Sequence, residues 1–195
     1  WLTGTTAITR TIAIGTPPAE ACEAFTRVLS GLIAMSRLRW PKGLAGAHIE
    51  AIGWMPLWLA GQDFDHGLGH GVGAYLSVHE GPQRLSRMST VPLEPGMILS
   101  NEPGYYREGA FGIRLENLLV VQNAPALAGG DDHRAMLDWR TLAFAPIDRR
   151  LIVPEMLEPA ARDWLNAYHA EVKTKIAPRV SEAAKEWLNA ATAPI

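Results

Sequence analysis

Hydrophobic positions recur with a helical spacing in the first part of the chain and in shorter, interrupted runs further on. After Gly15, the apolar residues that would share one helix face are Phe25, Val28, Leu29, Leu32 and Ile33. Their spacing predicts a buried helix, with Thr16 as its N-cap and with Pro17 and Pro18 in its first turn. The β-branched residues within positions 3–14 predict a strand that ends at Gly15.

The middle of the chain is predicted to contain one more helix and then mainly strands. The apolar spacing over residues 45–55 predicts a helix that Pro56 kinks or stops. From residue 65 to 121, Gly and Pro interrupt short apolar runs, which is typical of an antiparallel sheet. These runs are GAYLSVHEGP, LEPGMILSNEPGYY and FGIRLENLLVV. The run APALAGGDD within residues 123–133 indicates an exposed loop. A further strand is predicted over residues 141–147, TLAFAPI.

Two amphipathic helices are predicted at the C-terminal end, over residues 158–176 and 181–191, with Pro178 between them. Their apolar anchors are Trp164, Leu165, Tyr168, Trp187 and Leu188. We therefore expect one domain over residues 1–150 and a helical extension over residues 151–195. This extension either packs on the sheet or forms a subunit contact.

Composition and charge restrict the class of partner. The chain has 195 residues, of which 48% are apolar, enough for a substantial core. It carries 18 basic and 20 acidic residues, and no basic run indicates nucleic acid or an anionic membrane. No apolar stretch reaches the roughly 18 residues of a membrane span. The expected partner is a small molecule or a peptide, and the start at Trp1 suggests an internal piece of a longer protein.

Three of the six histidines lie close together, at positions 66, 70 and 79. In an extended strand His66, Leu68, His70 and Val72 would share one face, while glycines 67, 69, 71 and 73 would line the other. Such a glycine face allows another backbone to approach closely. The clustering favours metal binding or proton transfer over the alternative of hydrogen-bonded core histidines.

Two carboxylates, Glu102 and Glu116, lie in apolar surroundings where a charge is costly unless it is paired or bound to a cation. For Glu116, an ion pair with Arg114 and a metal remain equally open explanations. The single cysteine, Cys22, excludes an internal disulfide and a cysteine-built zinc site. An imidazole with two carboxylates suits manganese, cobalt, zinc or ferrous iron, and such sites often hold two ions that activate water.

Three motifs resemble the catalytic domain of Xaa-Pro aminopeptidase, also called aminopeptidase P. They are GTTAITRTIAIGTPP, HGLGHGVGAYLSVHEGPQ and LEPGMILSNEPGYYREGAFGIRLENLLVV, and the tail resembles the C-terminal extension of the three-domain form. The resemblance implies an α+β pita-bread fold, present here in part, with a curved antiparallel sheet flanked by helices. Methionine aminopeptidase, prolidase and creatinase share this fold.

The resemblance also implies roles for individual residues. His70, Glu102 and Glu116 match the ligands of a site for two manganese ions, with zinc or cobalt as other possible metals. Glu102 also matches the general base, and Arg114 matches a residue that orients both glutamates. His66 and His79 match histidines that contact substrate and stabilise the tetrahedral intermediate.

The implied substrates are peptides with proline at the second position, and the implied form is a cytoplasmic homodimer.

One departure concerns the metal: the family pattern GTTDITRT reads GTTAITRT here, so Ala7 replaces an aspartate ligand. The family's other aspartate ligand lies upstream of Trp1. We therefore expect weak metal binding and poor or no activity from this chain. The alternatives are a non-catalytic protein that binds peptides or a partner, and a prolidase-type dipeptidase.

Overall fold

The computed structural model describes residues 5–75, 77–131 and 133–195, so the predictions that include residues 3–4, Leu76 and Asp132 lie partly outside it. The α-helices in the described ranges are α1 (Ala19–Ser36), α2 (Gly46–Ile49), α3 (Ala51–Trp58), α4 (Pro159–Ile176) and α5 (Glu182–Ala191). The strands there are β1 (Trp40–Pro41), β2 (Gly69–His70), β3 (Arg84–Leu85), β4 (Ile98–Asn101), β5 (Gly104–Arg107), β6 (Phe111–Arg114), β7 (Asn117–Asn123) and β8 (Met136–Thr141).

The central sheet has the strand order β1-β8-β7-β4 and is antiparallel throughout. Two further antiparallel pairs, β2 with β3 and β5 with β6, adjoin it. Helix α1 packs against α3 and also contacts β4, β5 and β6. The predicted apolar face of α1 is confirmed, because Phe25, Val28, Leu29, Leu32 and Ile33 are all fully buried.

Both N-terminal helices differ in detail from the sequence prediction. Helix α1 begins at Ala19 with Pro18 as its N-cap and no side-chain cap, so the cap predicted at Thr16 is wrong. The second helix is divided at Glu50 into α2 and α3, and α3 continues through Pro56 to Trp58. Burial of Trp54 and Leu57 compensates for the backbone hydrogen bond that proline cannot make.

Three predicted strands are not regular strands. Of residues 5–14, only Thr9 forms a bridge, to Glu116, because side chains rather than a strand ladder hold this segment. In the strand predicted over residues 73–82, the described part has Glu80 N–H bonded to Gly71 O rather than a regular ladder. The strand predicted over residues 141–147 lies earlier, as β8, whereas the exposed loop between β7 and β8 is confirmed in its described part.

The two predicted C-terminal helices are confirmed as α4 and α5. Ser181 caps α5 by accepting a hydrogen bond from Ala184 N–H. Leu165, Tyr168 and Leu188 are buried, so the tail packs on the rest of the chain, whereas Trp187 stays 63% exposed. In the described ranges, no helix combines the length and hydrophobicity that crossing a membrane requires.

Helix α4 buries His169 completely, and this makes stability depend on pH. Its Nε2 accepts a hydrogen bond from Ile147 N–H at 3.1 Å, which requires an unprotonated nitrogen. Burial, reinforced by Arg149 and Arg10, lowers the pKa of His169 from 6.5 to about 4. The unfolded chain therefore binds a proton that the folded chain does not, and stability is lost as the pH falls from 6.5 toward 4.

We expect this histidine to remove about 3 kcal/mol from the free energy of unfolding between pH 7 and pH 4. Urea unfolding at several pH values would measure the loss. His169→Gln keeps a side-chain acceptor without this titration, and it should flatten the pH dependence. An unchanged pH profile in that variant would contradict the assignment.

Candidate metal centre

Three predicted metal ligands converge although they are far apart in sequence. His70 ends β2, Glu102 follows β4, and Glu116 lies between β6 and β7. One donor atom from each of these residues lies within 4.8 Å of the other two. Strand pairing therefore assembles a mixed nitrogen and oxygen donor set of the kind that binds divalent transition metals.

Glycines make this convergence possible, as the sequence predicted. Strand β2 lies so close to β4 that a Cβ atom on Gly69 would be 1.9 Å from Ser100 O. A Cβ atom on Gly71 would lie 2.1 Å from Glu80 O. The backbone of the histidine motif is thus enclosed by neighbouring backbone, which fixes the position of His70.

Hydrogen bonds prepare His70 to bind a cation through Nε2. Its Nδ1 lies 2.8 Å from Gly71 O, which can only accept, so Nδ1 carries the proton. Its Nε2 faces Glu102 Oε1 at 3.2 Å. A cation between these two atoms would contact both of them, so their separation fits a shared metal ion.

Glu102 and Glu116 are each held by a hydroxyl group. Ser100 Oγ accepts from His70 N–H and donates to Glu102 Oε1, with both distances 2.9 Å. Thr9 Oγ1 donates to Glu116 Oε2 at 2.5 Å, and Glu116 N–H donates to Thr9 O at 3.0 Å. Glu116 is buried, so its carboxylate has little access to water as an alternative partner.

The proposed ion pair between Arg114 and Glu116 is not found among the described residues. Arg114 ends β6 and Glu116 precedes β7, so the two residues do not lie on one face of one strand. Arg114 instead lies 3.7 Å from Glu102 Oε2 and donates to Tyr106 Oη at 2.8 Å. Burial opposes its charge, but Tyr106 and Glu102 outweigh burial and raise the pKa of Arg114.

The predicted residues His66, His79, Glu102 and Arg114 line one cleft of about 470 Å³ together with His70. Tyr106 Oη, which accepts from Arg114, lies 2.8 Å from His66 Nε2, and His66 Nδ1 lies 2.9 Å from Gly67 O. In a neutral His66, Nδ1 therefore carries the single ring N–H and donates it to Gly67 O, while Nε2 accepts from Tyr106 Oη. His79 packs with its ring centroid 4.1 Å from that of His70, and its ring makes no hydrogen bond to any described residue.

Ala7 lies two residues before Thr9 in the extended N-terminal segment. Thr5, Ala7 and Thr9 are partly buried, whereas Thr6 and Ile8 are exposed. Side chains alternate in an extended chain, so Ala7 faces the same side as Thr9, which contacts Glu116. A methyl group offers no metal ligand at this position.

Residues 1–123 match the model of metallopeptidase family M24, and residues 135–195 match the C-terminal region of peptidase_M24. The chain belongs to metallopeptidase family M24. The family resemblance stated from the three motifs is therefore confirmed.

Relatives within M24 are similar along nearly the whole chain. Aminopeptidase P2 of Arabidopsis thaliana is 46% identical over 182 residues, which are 91% of this chain and 25% of the relative. Probable Xaa-Pro aminopeptidase P of Tuber melanosporum is 43% identical over 178 residues, 90% of this chain and 29% of the relative. The chain thus spans less than a third of the length of these relatives.

Solved M24 structures confirm the pita-bread fold. The X-prolyl aminopeptidase of Caenorhabditis elegans, described as a cytosolic enzyme with a di-nuclear active site, matches with a TM-score of 0.88 and 34% identity. The match covers 96% of this chain and 31% of that one. A prolidase of Pyrococcus furiosus matches with a TM-score of 0.53 and 30% identity, over 58% of this chain and 33% of its own.

Several residues of this M24 site were not recognised from the sequence. Thr9 and Ser100 are ordinary hydroxyl residues whose partners are visible only in the fold. Arg84 lies directly opposite His70 in the β2–β3 pair and lines the cleft, which follows from strand register rather than from any motif. Tyr106 belongs to the motif NEPGYY, but no spacing rule indicates its contact with His66.

Proposed function

We propose that the protein is a metal-dependent aminopeptidase that hydrolyses the bond between an N-terminal residue and a following proline. The observation that carries this proposal is the convergence of His70, Glu102 and Glu116 within 4.8 Å in a chain of a metallopeptidase family. The names of the Arabidopsis and Tuber relatives support the substrate class. The di-nuclear active site described for the Caenorhabditis elegans enzyme supports the use of two ions.

His70, Glu102 and Glu116 would hold the metal, for which we propose manganese, with zinc or cobalt as other possible ions. A bound divalent ion supplies a water of lowered pKa and polarises a carbonyl oxygen. Three protein donors fit one cation. The methyl group of Ala7 leaves a second ion without a ligand that the family pattern provides.

Glu102 is proposed as the general base, and its two oxygens differ in their surroundings. Oε1 already accepts a hydrogen bond from Ser100 and faces His70 Nε2. Oε2 lies 3.7 Å from Arg114, beyond hydrogen-bond distance. Oε2 is therefore the oxygen that can accept a proton from an attacking water, while Arg114 orients the carboxylate.

His66 and His79 are proposed to contact substrate, in different ways. His66 has Nδ1 bonded to Gly67 and Nε2 bonded to Tyr106, so in this arrangement it forms a fixed wall of the cleft. The His79 ring lines the same cleft and has no hydrogen bond to the described residues. We propose His79 as the imidazole that donates a hydrogen bond to the oxyanion of the tetrahedral intermediate.

Binding and hydrolysis of tripeptides by this chain would test the proposal. We expect a tripeptide with proline second to bind in a manganese-dependent manner, more tightly than the same peptide with alanine second. Turnover should be poor or absent because of Ala7. Glu116→Ala should abolish the manganese-dependent binding, and it also controls for contaminating peptidase.

The outcomes separate the parts of the proposal. Proline-selective binding without turnover would support an incomplete aminopeptidase site. Turnover that Glu116→Ala abolishes would support the activity and show that His70, Glu102 and Glu116 suffice. Equal binding of both peptides, or binding independent of manganese, would contradict the proposed function.

A non-catalytic peptide-binding or partner-binding protein is the second candidate, and Ala7 is the observation that favours it. A prolidase-type dipeptidase is less well supported, because the prolidase structure matches 58% of the chain and the Caenorhabditis elegans enzyme 96%. For such a dipeptidase, a dipeptide ending in proline would bind better than the tripeptide.

We also propose a cytoplasmic location, a homodimer, and a domain boundary between residues 150 and 151. The cytosolic enzyme of Caenorhabditis elegans supports the location. Exposed Ile12 and Trp187 line one groove of about 510 Å³, which supports a contact between subunits. The last strand, β8, ends at Thr141, which supports a division soon after the sheet.

A further inference from the structure

A cluster of polar groups lies behind Glu116 and connects it to the C-terminal helix α4. We call Arg10, Asn117 and Tyr168 the Arg10 cluster. Arg10 belongs to the N-terminal segment, Asn117 begins β7 directly after Glu116, and Tyr168 lies within α4. Asn117 and Tyr168 are buried, with 0% and 4% of their surface exposed.

The guanidinium group of Arg10 is bonded on several sides. Nη1 donates to Glu116 O at 2.6 Å and to Thr9 O at 2.8 Å. Nη2 donates to Asn117 Oδ1 and to Tyr168 Oη, both at 2.7 Å. Its remaining bonds go to the carbonyls of Ala145 and Pro146. This planar, rigid set of donors holds the two sides of the cluster at fixed distances.

Tyr168 bonds to Arg10 Nη2, whereas Glu116 O bonds to Arg10 Nη1. Its hydroxyl accepts from Arg10 and from Ala145 N–H, the latter at 3.2 Å. The hydroxyl proton has acceptors at 3.1 Å in the carbonyls of Ala143 and Ala145. The ring stacks on Trp164 with an interplanar angle of 4°. One residue of α4 thus fixes both the segment after β8 and Arg10.

The contacts of Glu116 make this cluster relevant to the metal centre. Thr9 holds the Glu116 carboxylate, and the adjacent Arg10 holds the Glu116 backbone carbonyl. Any shift of Arg10 therefore moves both the backbone of Glu116 and the hydroxyl group bonded to its side chain. Tyr168 restrains that shift although it contacts neither the cleft nor a predicted ligand.

We propose that Tyr168 is a positioning residue for Glu116, acting through Arg10. By this mechanism the helical extension sets the geometry of the metal centre. The inference rests on the proposed metal-binding function. Groups that orient a ligand without touching the metal typically change metal affinity about 10- to 100-fold.

Tyr168→Phe tests this role, since it removes the hydroxyl and keeps the ring that stacks on Trp164. We expect manganese affinity, measured by titration calorimetry, to fall about 10-fold. The absorption spectrum of bound cobalt should also change, because the ligand geometry changes. The matched control is Tyr105→Phe, whose ring packs on Phe111 and whose hydroxyl makes no hydrogen bond to a described residue. This control should change manganese affinity less than about 2-fold.

A second control separates positioning from stability. Trp164→Leu weakens the packing of α4 and retains the hydroxyl group of Tyr168. A lower stability with unchanged manganese affinity in this variant would support the proposal. An equal loss of affinity in Trp164→Leu and Tyr168→Phe, or no loss in Tyr168→Phe, would overturn it.

Crystal structures of the original chain and of Tyr168→Phe test the inference without a metal. We expect Glu116 to move away from Thr9, lengthening the 2.5 Å contact between Oε2 and Oγ1. An unmoved Glu116 would overturn the inference. Failure of the original chain to bind manganese would instead count against the proposed function, and the crystal structures would still decide the role of Tyr168.

Discussion

Gly69→Ala is expected to cost about 3 kcal/mol or more of folding free energy and to eliminate metal binding. The new methyl group would lie 1.9 Å from Ser100 O and 2.8 Å from its carbonyl carbon, both of which are backbone atoms that cannot rotate away. Strand β2 would have to separate from β4. That movement would carry His70 away from Glu102, so stability and metal affinity should fall together.

Gly67→Ala is the matched control, since it makes the same change two residues earlier in the same motif. Its Cβ would meet Ser86 Cβ at 3.4 Å, which is ordinary contact. We expect a change within about 1 kcal/mol for this variant. Denaturant unfolding and manganese titration of both variants would measure the difference. Equal stabilities would show that β2 is free to move away from Ser100.

Ala7→Asp is expected to tighten manganese binding on the order of 100-fold. The new carboxylate would extend toward the side on which Thr9 contacts Glu116. It would add an oxygen donor and a negative charge next to the three side chains proposed as metal ligands. Titration calorimetry against manganese would measure the gain.

Two controls separate coordination from simple charge. Thr6→Asp adds the same charge on the exposed, opposite side of the segment. Because solvent screens the attraction between this carboxylate and manganese, we expect only a small change in manganese affinity. Ala7→Asn places a neutral side chain of the same shape at the site. Affinity that is no higher in Ala7→Asp than in Thr6→Asp would contradict the assigned ligand position.

The helices show where local sequence information is sufficient. The apolar faces of α1 and α4 recur every three or four residues, the start of α1 was predicted within about two residues, and both ends of α4 within about one. Such a pattern depends only on near neighbours in the chain. The cap of α1 was wrong because Pro17 and Pro18 delay the first helical turn to Ala19, which leaves Thr16 outside the helix.

The strands show where local information fails. The pattern of residues 73–82 predicts a strand, yet Gly71 N–H donates to Gln83 O and Glu80 N–H donates to Gly71 O, so both ends of the segment bond to one residue. In TLAFAPI, the carbonyls of Ala143 and Ala145 accept from Tyr168 instead of from a neighbouring strand. A strand requires a partner, and the partner lies far away in sequence.

The sequence by itself determined the kinds of donor, the glycine-rich path and the principal helices, because these depend on residue chemistry and short-range periodicity. It also supplied the family, through motifs of high specificity. Only the tertiary structure decided that Arg114 lies beside Glu102 rather than Glu116, and that Thr9 and the Arg10 cluster hold Glu116. The physical reason is that these contacts depend on strand register and on the packing of helix α4. Both bring together residues that are far apart in sequence, and Thr9 and Glu116 are separated by 107 positions.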